Sequence, residues 1–296
     1  MTATRPRAAL DLAWRAAEQA IGSRGDWRAF LRDAERTRSV FENYLAVGAI
    51  AGLVLPSRIP PRDGLPRFME RRITLRTRLG PVLTTEIGNA WPIVKIFRDW
   101  EFDVALDWGA VHQAVEVGGH VGSFPLWVAA HAPDARVLSF EPEPRNFHDL
   151  RLNVEQSGLA DRITTVNAAV AANDGRRALD VPVQRNRAGF ATASNGAPTI
   201  EVDCVGLERY LDAECPGPID VLKLDCEGAE WEILPSLSRE TYDRVHQIFV
   251  GCHAHEEQEI GQVVEFLSER GFESRAVSTG SDPEYPLLVT LWGERT

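Results

Sequence analysis

The stretch Leu222-Lys223-Leu224-Asp225-Cys226-Glu227-Gly228-Ala229 decides the fold. Its first residues close an aliphatic run, which is typical of a strand buried in a parallel sheet. Gly228 then turns the chain into a segment, residues 230–237, with helical spacing of its apolar residues. Two carboxylates, Asp225 and Glu227, follow the strand directly. Ligands of open α/β sheets bind at the carboxyl ends of the strands, so this pair predicts a site at that edge.

A glycine-rich loop lies about a hundred residues upstream, in Val115-Glu116-Val117-Gly118-Gly119-His120-Val121-Gly122. It is not the dinucleotide fingerprint G-x-G-x-x-G, because His120 and Ser123 stand at the second and third glycine positions. In this loop Glu116 is followed by glycines two and six positions later. This spacing lets the backbone pass close to a nucleoside cofactor that has no pyrophosphate, and it places the Glu116 carboxylate near a cationic amine of that cofactor. S-adenosylmethionine has such an amine and a sulfonium. A side chain at Gly118 or Gly122 is expected to block this cofactor and leave the protein folded; a structural βα turn is the alternative.

Two further segments fit the same cofactor. Glu141 ends the next predicted strand, in Phe140-Glu141-Pro142, about where α/β sites place an acid on the ribose hydroxyls. A solvated acid before a proline turn is the alternative. Asn167 and Ala168 follow the third strand, where they are predicted either to line an adenine or to form a plain turn.

From Ala114 onward, strands and helices alternate, which indicates an α/β fold with a parallel sheet. The predicted strands are Ala114–Val117, Arg136–Phe140, Ile163–Val166, Ile219–Leu224 and Gln247–Gly251, and the predicted helices begin near Phe124 with Ser123 as N-cap, at about Arg145 and at Glu256. An extended pair, Ala178–Val183 with Thr199–Val205, interrupts the alternation. Phe272–Val277 and Leu287–Trp292 are expected to form a closing antiparallel pair.

The first hundred residues differ in pattern from the rest of the chain. They are predicted to form a helical extension or cap with a linker, and residues 101–296 are predicted to form the main domain. Two amphipathic helices are expected within residues 8–55, and a proline- and arginine-rich linker follows them. A strand pair near residues 73–75 and 81–83 and a helix at Ala90–Asp99 complete this region. The first 80 residues carry a local charge of +7 and the remainder −18. Docking of the helices on the acidic body, or on a second copy as a homodimer, is therefore expected.

Composition excludes several classes of protein. The longest apolar run without charge, Leu45 to Pro56, is shorter than the roughly 20 residues that span a bilayer. The acidic body argues against a nucleic-acid substrate. The four cysteines show no CxxC spacing, which favours free thiols in a reducing compartment. We therefore expect a cytoplasmic protein with no membrane and no nucleic-acid partner.

These residues resemble the FkbM-type S-adenosylmethionine-dependent methyltransferases from about Phe97 to the C-terminus. The resemblance rests on VEVGGHVGSF, on SFEPEPRNFHDLRLNV, on VNAAVAANDG and above all on DVLKLDCEGAEWEIL, which matches the pattern K-hydrophobic-D-hydrophobic-E-G-A-E. Three departures stand out. Glu116 replaces the usual Asp, Gly119-His120 replaces Ala-Asn, and Gly251-Cys252-His253 keeps the His of the fifth strand without the acid two positions before it.

The resemblance implies a Rossmann-like class I methyltransferase sheet, mostly parallel with an antiparallel closing strand. It also implies O-methylation of a hydroxyl on a sugar or secondary metabolite, a small-molecule acceptor. N- or carboxyl-methylation on the same scaffold, and a non-catalytic protein that binds the cofactor or a metabolite, are the alternatives. The predicted cofactor contacts are Glu116, Gly118, Gly119, His120, Gly122, Ser123, Glu141, Pro142, Asn146, Asn167, Ala168 and Asp225.

The methyl acceptor must lose a proton, a general-base task that suits a carboxylate or a histidine. Asp225, Glu227 and His253 end adjacent predicted strands and are the predicted catalytic residues. Lys223 lies inside a strand, where an unpaired ammonium is costly, so a salt bridge to a neighbouring acid is predicted. With His255 and Glu256, the three catalytic candidates also leave a divalent-metal site open. That site is not favoured, because the spacing is not diagnostic.

Overall fold

The computed structural model describes residues 37–43, 70–99, 106–181, 189–190, 198–253, 260–279 and 288–295. The chain divides into two compact units, Met1–Trp100 and Glu101–Thr296. The helices predicted within residues 8–55 and the linker lie outside the described residues, apart from 37–43. Their packing and the predicted homodimer therefore stay predictions.

The described part of the first unit contains a hairpin and a helix, as predicted. Strand β1 (Arg72–Arg76) pairs antiparallel with β2 (Val82–Glu86), and helix α1 (Ala90–Asp99) follows. Alternation puts Leu75 and Leu83 on the buried side of the hairpin, since both are fully buried.

The second unit alternates strands and helices. In chain order its elements are β3 (Gln113–Val117), α2 (Ser123–His131), β4 (Arg136–Phe140), α3 (Pro144–Gln156), β5 (Ile163–Val166), β6 (Ala169–Ala171), β7 (Gly175–Asp180), β8 (Gly189–Phe190), β9 (Thr199–Gly206), α4 (Leu207–Glu214), β10 (Ile219–Leu224), α5 (Glu230–Ser236), α6 (Arg239–Arg244), β11 (Val245–His253), α7 (Ile260–Ser268), β12 (Phe272–Thr279) and β13 (Leu288–Arg295).

Seven of these strands form one sheet in the order β12-β13-β11-β10-β3-β4-β5. Strands β3, β4, β5, β10 and β11 pair in parallel, and β13 pairs antiparallel with β11 and β12. This confirms the predicted Rossmann-like sheet with an antiparallel closing strand. Strand β3 is the first strand of this sheet in the chain. Strands β4 and β5 follow on one side of it, and β10 and β11 are added later on the other side, so the topological switch point lies between β3 and β10. Ligands of such sheets bind outside the strand ends at that point.

A smaller sheet, in the order β6-β9-β7-β8, follows β5. It confirms the extended pair, because β7 and β9 are antiparallel, but the first strand lies at Gly175–Asp180 instead of Ala178–Val183. Asn167 and Ala168 connect β5 to β6, since Ala169 already begins β6 and pairs with Cys204.

One helix start differs from its prediction. Gly122, not Ser123, is the N-cap of α2, because its left-handed φ of +91° makes the turn and Ser123 is already helical. The helix predicted from Glu256 is described from Ile260 to Ser268, and its predicted start lies outside the described residues. No helix in the described part of the chain reaches the length and apolarity needed to cross a membrane.

Candidate active site

The ends of three neighbouring strands bring the predicted site residues to one edge of the sheet. Val117 pairs with Phe140 of β4 on one side and with Leu224 of β10 on the other. The glycine loop, the loop that starts at Glu141 and the loop that starts at Asp225 therefore leave the sheet side by side.

A buried ion network lies beneath this edge. Lys223 Nζ lies 3.2 Å from Glu116 Oε1 and 3.2 Å from Asp225 Oδ2, which confirms the predicted salt bridge. Ser139 Oγ donates to the second Glu116 oxygen at 2.8 Å. The Glu116 side chain is 1% exposed and that of Lys223 6%, while that of Asp225 is 46% exposed. Burial raises the pKa of Glu116, and the neighbouring Lys223 ammonium opposes that rise.

These contacts assign Glu116 a role inside the sheet. Both of its oxygens have protein partners, Ser139 and Lys223, so it holds the cation that in turn holds Asp225. Its predicted approach to a cofactor amine stays a prediction.

The glycines of the loop have a structural role in addition to the predicted one, which stays a prediction. A Cβ atom on Gly118 would lie 2.0 Å from the carbonyl oxygen of Asp225, and one on Gly119 would lie 2.4 Å from Ser139 Oγ. A Cβ on Gly122 would meet Leu150 Cδ1 at 2.9 Å. Protein atoms occupy the space next to these glycines, so a side chain at Gly118 or Gly122 is expected to strain the fold as well as any cofactor site.

Glu141 is a buried acceptor at the end of β4. Its Oε2 accepts from the backbone N–H of His120 at 2.7 Å, and its Oε1 accepts from the N–H of Glu143 at 2.9 Å. Asn146 also hydrogen-bonds to the carboxylate, and Glu141 is 5% exposed. Burial raises the pKa of Glu141 to about 7, although these hydrogen bonds oppose the rise. The ionised form of this buried carboxylate is suited to partners that donate hydrogen bonds.

Side chains from three elements fix the position of the Glu141 loop. Glu143 caps α3 by accepting from the N–H of Asn146 at 2.6 Å. Asn153 Nδ2 donates to the Val121 carbonyl at 2.7 Å, which ties α3 to the glycine loop. Asn167 Nδ2 donates to the carbonyls of Glu141 and Pro142 at 2.8 and 3.1 Å. Asn167 therefore braces this loop, whether or not it also meets an adenine.

The loop after β10 is held by Glu230, for which the sequence suggested no role. The buried Glu230 carboxylate accepts from the N–H groups of Cys226 and Gly228 at 2.7 and 2.8 Å. Between them Glu227 adopts a left-handed φ of +54° and Gly228 one of +103°. Left-handed backbone at a non-glycine residue is uncommon and clusters at functional sites. The signal in the sequence was the second acid of the E-G-A-E pattern.

The structure describes the three catalytic candidates to different extents. Asp225 and Glu227 lie on this loop, and His253 ends β11, three residues beyond the pair formed by Leu224 and Val250. The His253 side chain and residues 254–259 lie outside the described residues. Within the described ones, no group of three or more His, Cys, Asp or Glu side chains could hold a metal ion. The metal alternative, which needs His255 and Glu256, stays open.

One cavity of about 380 Å³ lies beside this edge, next to the smaller sheet. Its lining includes Asn167, Ala168, Asp174, Arg209 and Tyr210, but none of the loop glycines, Glu141 or Asp225. It shares only Asn167 and Ala168 with the predicted site. We therefore assign the site from the strand ends and their hydrogen bonds.

The family model of the Methyltransferase FkbM domain matches residues 116–274, which include the glycine loop, Glu141, the loop after β10 and His253. The chain belongs to the FkbM methyltransferase family. Similar proteins include methyltransferase sdnD of Sordaria araneosa, 25% identical over 203 residues that cover 58% of this chain and 78% of that protein. Methyltransferase 1 of Beauveria bassiana (strain ARSEF 2860) is 27% identical over 158 residues, 46% of this chain and 62% of the relative. The solved methyltransferase FkbM of Methylobacillus flagellatus overlaps with a TM-score of 0.47 at 14% identity, over 89% of this chain and 58% of that chain.

Membership in the FkbM family makes Gly251 the departure of most interest. The family pattern that the sequence resembles has an acid at this position of β11, two positions before the His. The Asp225 carboxylate fills the space there instead, since a Cβ on Gly251 would lie 2.7 Å from Asp225 Oδ1. This FkbM methyltransferase therefore presents Asp225, held by Lys223, where the family pattern has two acids.

Proposed function

We propose that the protein transfers a methyl group from S-adenosylmethionine to a hydroxyl oxygen of a small-molecule acceptor, a sugar or a secondary metabolite. The observation that carries the proposal is the pair of carboxylates on either side of the switch point. Glu141, at the end of β4, is buried and already accepts backbone hydrogen bonds, whereas Asp225, at the end of β10, is half-exposed. The first suits ribose hydroxyls and the second suits the proton of an acceptor.

Bound S-adenosylmethionine supplies an electrophilic methyl group, so the chain has three tasks: to bind, to orient and to take one proton. Glu141 would accept hydrogen bonds from the ribose hydroxyls, with Asn167 beside it on the adenine side. Asp225 would accept the proton that the acceptor hydroxyl loses. Lys223, below the edge, holds one oxygen of that carboxylate, so the base is oriented before the acceptor arrives.

The role of Glu141 predicts a pH-dependent affinity. Ribose hydroxyls donate to a carboxylate, so the ionised form binds, and the pKa of Glu141 is raised to about 7 by burial. Between pH 6 and pH 8 the ionised fraction rises about tenfold, and the affinity for S-adenosylmethionine should rise by about the same factor. Titration calorimetry at four pH values measures this.

The matched variant is Glu141→Gln, which keeps the size and removes the charge. We expect a loss of roughly 10- to 100-fold in affinity at pH 8, because hydrogen bonds to a charged group contribute about 1.5–3 kcal/mol. The pH dependence should disappear with it. A wild-type protein that does not bind S-adenosylmethionine, or a Glu141→Gln variant that binds as tightly as wild type, contradicts the assignment.

The acceptor is tested with methyl-labelled S-adenosylmethionine and pooled small-molecule fractions. We expect label in a product that survives mild alkali, because methyl ethers are stable there and methyl esters hydrolyse. Asp225→Asn should lower the rate about 10²–10⁴-fold, the usual cost of losing a general base. Base-labile product indicates carboxyl methylation, label on nitrogen indicates N-methylation, and cofactor binding without any labelled product favours the non-catalytic alternative.

The binding partners of the protein and the role of its N-terminal residues are also proposed. We expect a small-molecule acceptor without nucleic acid or membrane, because the body carries the acidic excess. Residues 1–55, of which the structure describes only 37–43, are proposed as a cap on the acceptor side or as a dimerisation arm, on the ground of their basic charge.

A further inference from the structure

Gly251 lies on β11 at the level of Asp225, because Leu224 and Val250 are partners in the parallel register and each chain advances one residue. Gly251 is buried, and its backbone is not in the left-handed region, which the chain uses at other glycines such as Gly118. The backbone at this position is therefore open to any L-residue. The reason for glycine must lie in the space around it.

That space is filled by the carboxylate of Asp225. A Cβ atom on Gly251 would lie 2.7 Å from Asp225 Oδ1 and 3.2 Å from its Cγ, while the nearest backbone atom, the Asp225 Cα, lies at an ordinary 3.5 Å. Side-chain atoms alone are overlapped, so a methyl group at 251 would displace the carboxylate before it displaced the strand.

The same carboxylate is held from the other side. Its Oδ2 lies 3.2 Å from Lys223 Nζ, and its side chain is 46% exposed. One oxygen of the carboxylate thus contacts the Lys223 ammonium, and the other lies where a side chain at position 251 would be.

We infer that Gly251 is a positioning residue for Asp225: the missing side chain leaves the space in which the carboxylate lies against Lys223 and faces the methyl-transfer site. The inference rests on the proposed function for the part that concerns methyl transfer. The packing part stands on the geometry alone. Gly251→Ala should rotate Asp225 off Lys223 and should act entirely through Asp225.

A double-mutant cycle tests this, with Gly251→Ala, Asp225→Ala and the pair. Asp225→Ala removes the overlapped atoms, so the substitution at 251 should have no further effect in that background. Gly217→Ala is the matched control, because a Cβ there meets nothing within 4 Å and its φ is not left-handed. We expect the control to behave as wild type.

Thermal unfolding and calorimetry with S-adenosylmethionine and S-adenosylhomocysteine are the two readouts. The two ligands differ by the methyl group and its positive charge, so their affinity ratio reports a carboxylate near the sulfonium. We expect Asp225→Ala to reduce the preference for S-adenosylmethionine about five- to tenfold, Gly251→Ala to reduce it in the same direction, and the double variant to equal Asp225→Ala.

The outcomes separate the two proposals. If wild type binds neither ligand, the proposed function fails, and the unfolding cycle still tests the packing of Gly251 against Asp225. If wild type binds both and the effects of the two substitutions add, in unfolding or in the affinity ratio, then Gly251 does not act through Asp225 and the inference is overturned. A Gly251→Ala variant with unchanged ratio and stability overturns it as well.

Discussion

Gly118→Ala is expected to lower the free energy of unfolding by roughly 2–6 kcal/mol, a large part of the roughly 5–15 kcal/mol that stabilises a typical domain. Gly118 has a φ of +94°, and an alanine Cβ would lie 2.0 Å from the carbonyl oxygen of Asp225. Left-handed backbone costs a non-glycine residue about 1–3 kcal/mol, and an overlap with rigid backbone adds about 1–3 kcal/mol. The free energy of unfolding, measured in urea, gives the value.

Gly158→Ala separates the two contributions. Gly158 also has a left-handed φ, of +69°, but a Cβ there meets nothing within 4 Å. We expect this control to lose only the backbone part, about 1 kcal/mol. Equal losses at the two positions would mean that the contact with Asp225 does not matter. A Gly118→Ala protein of normal stability that fails only to bind S-adenosylmethionine would restore the idea that the cofactor needs the space.

The main strands could be predicted because a buried strand in a parallel sheet is a continuous apolar run with clear ends. Strands β4, β5 and β10 have the predicted bounds. Helices α4 and α6 were not predicted. Helix α6 has only six residues and begins at a Ser238 cap, where the Ser238 hydroxyl accepts from the N–H of Thr241. The strand order followed from the family resemblance and from alternation, not from any local pattern.

The sequence located the candidate site residues at neighbouring strand ends, but it did not reveal their contacts. Motif position located Asp225, Glu227 and Glu141, because acids at strand ends have a known use in α/β folds. The partners of Glu116 are Ser139 and Lys223, 23 and 107 residues away, and no periodicity links them. The close approach of Gly118 to Asp225 likewise exists only once β3 and β10 are adjacent.

The rarity of lysine in the sequence bears on the ion network of Lys223, Glu116 and Asp225. The chain has two lysines among 32 Lys and Arg residues, and Lys223 is one of them. Arginine presents a wide planar fork, whereas lysine presents a compact charge on a flexible stem. The buried site between Glu116, Asp225 and the Phe124 ring, whose centroid is 5.5 Å from Nζ, suits the compact charge. Lysine therefore suits this position better than arginine, in a chain with 30 arginines and one other lysine.

The second large effect is expected from Lys223→Met, which should lower the free energy of unfolding by about 3–5 kcal/mol at pH 8. The substitution keeps an unbranched side chain that is one atom shorter, and it leaves the Glu116 carboxylate buried without its cation. Uncompensated buried charges carry a cost of this size. Urea denaturation of wild type and variant measures the difference.

The pH dependence of that loss identifies its cause. The folded pKa of Glu116 is already raised by burial, and removal of Lys223, which opposes the rise, raises it further. A carboxyl with a raised folded pKa destabilises the protein as pH rises through the interval between its unfolded and folded values. The variant should therefore recover relative to wild type between pH 8 and pH 5, as Glu116 takes up a proton.

The double variant Lys223→Met/Glu116→Gln decides whether the charge or the packing is responsible. A neutral amide at 116 can still accept from Ser139 and has no charge to bury, so most of the lost stability should return at pH 8. The two single substitutions are then strongly non-additive, as expected for residues in one network. If the double variant is as unstable as Lys223→Met, or if the loss is the same at pH 5 and pH 8, then Lys223 stabilises the sheet by packing and not by neutralising Glu116. In that case Asp225 would need another source of its orientation.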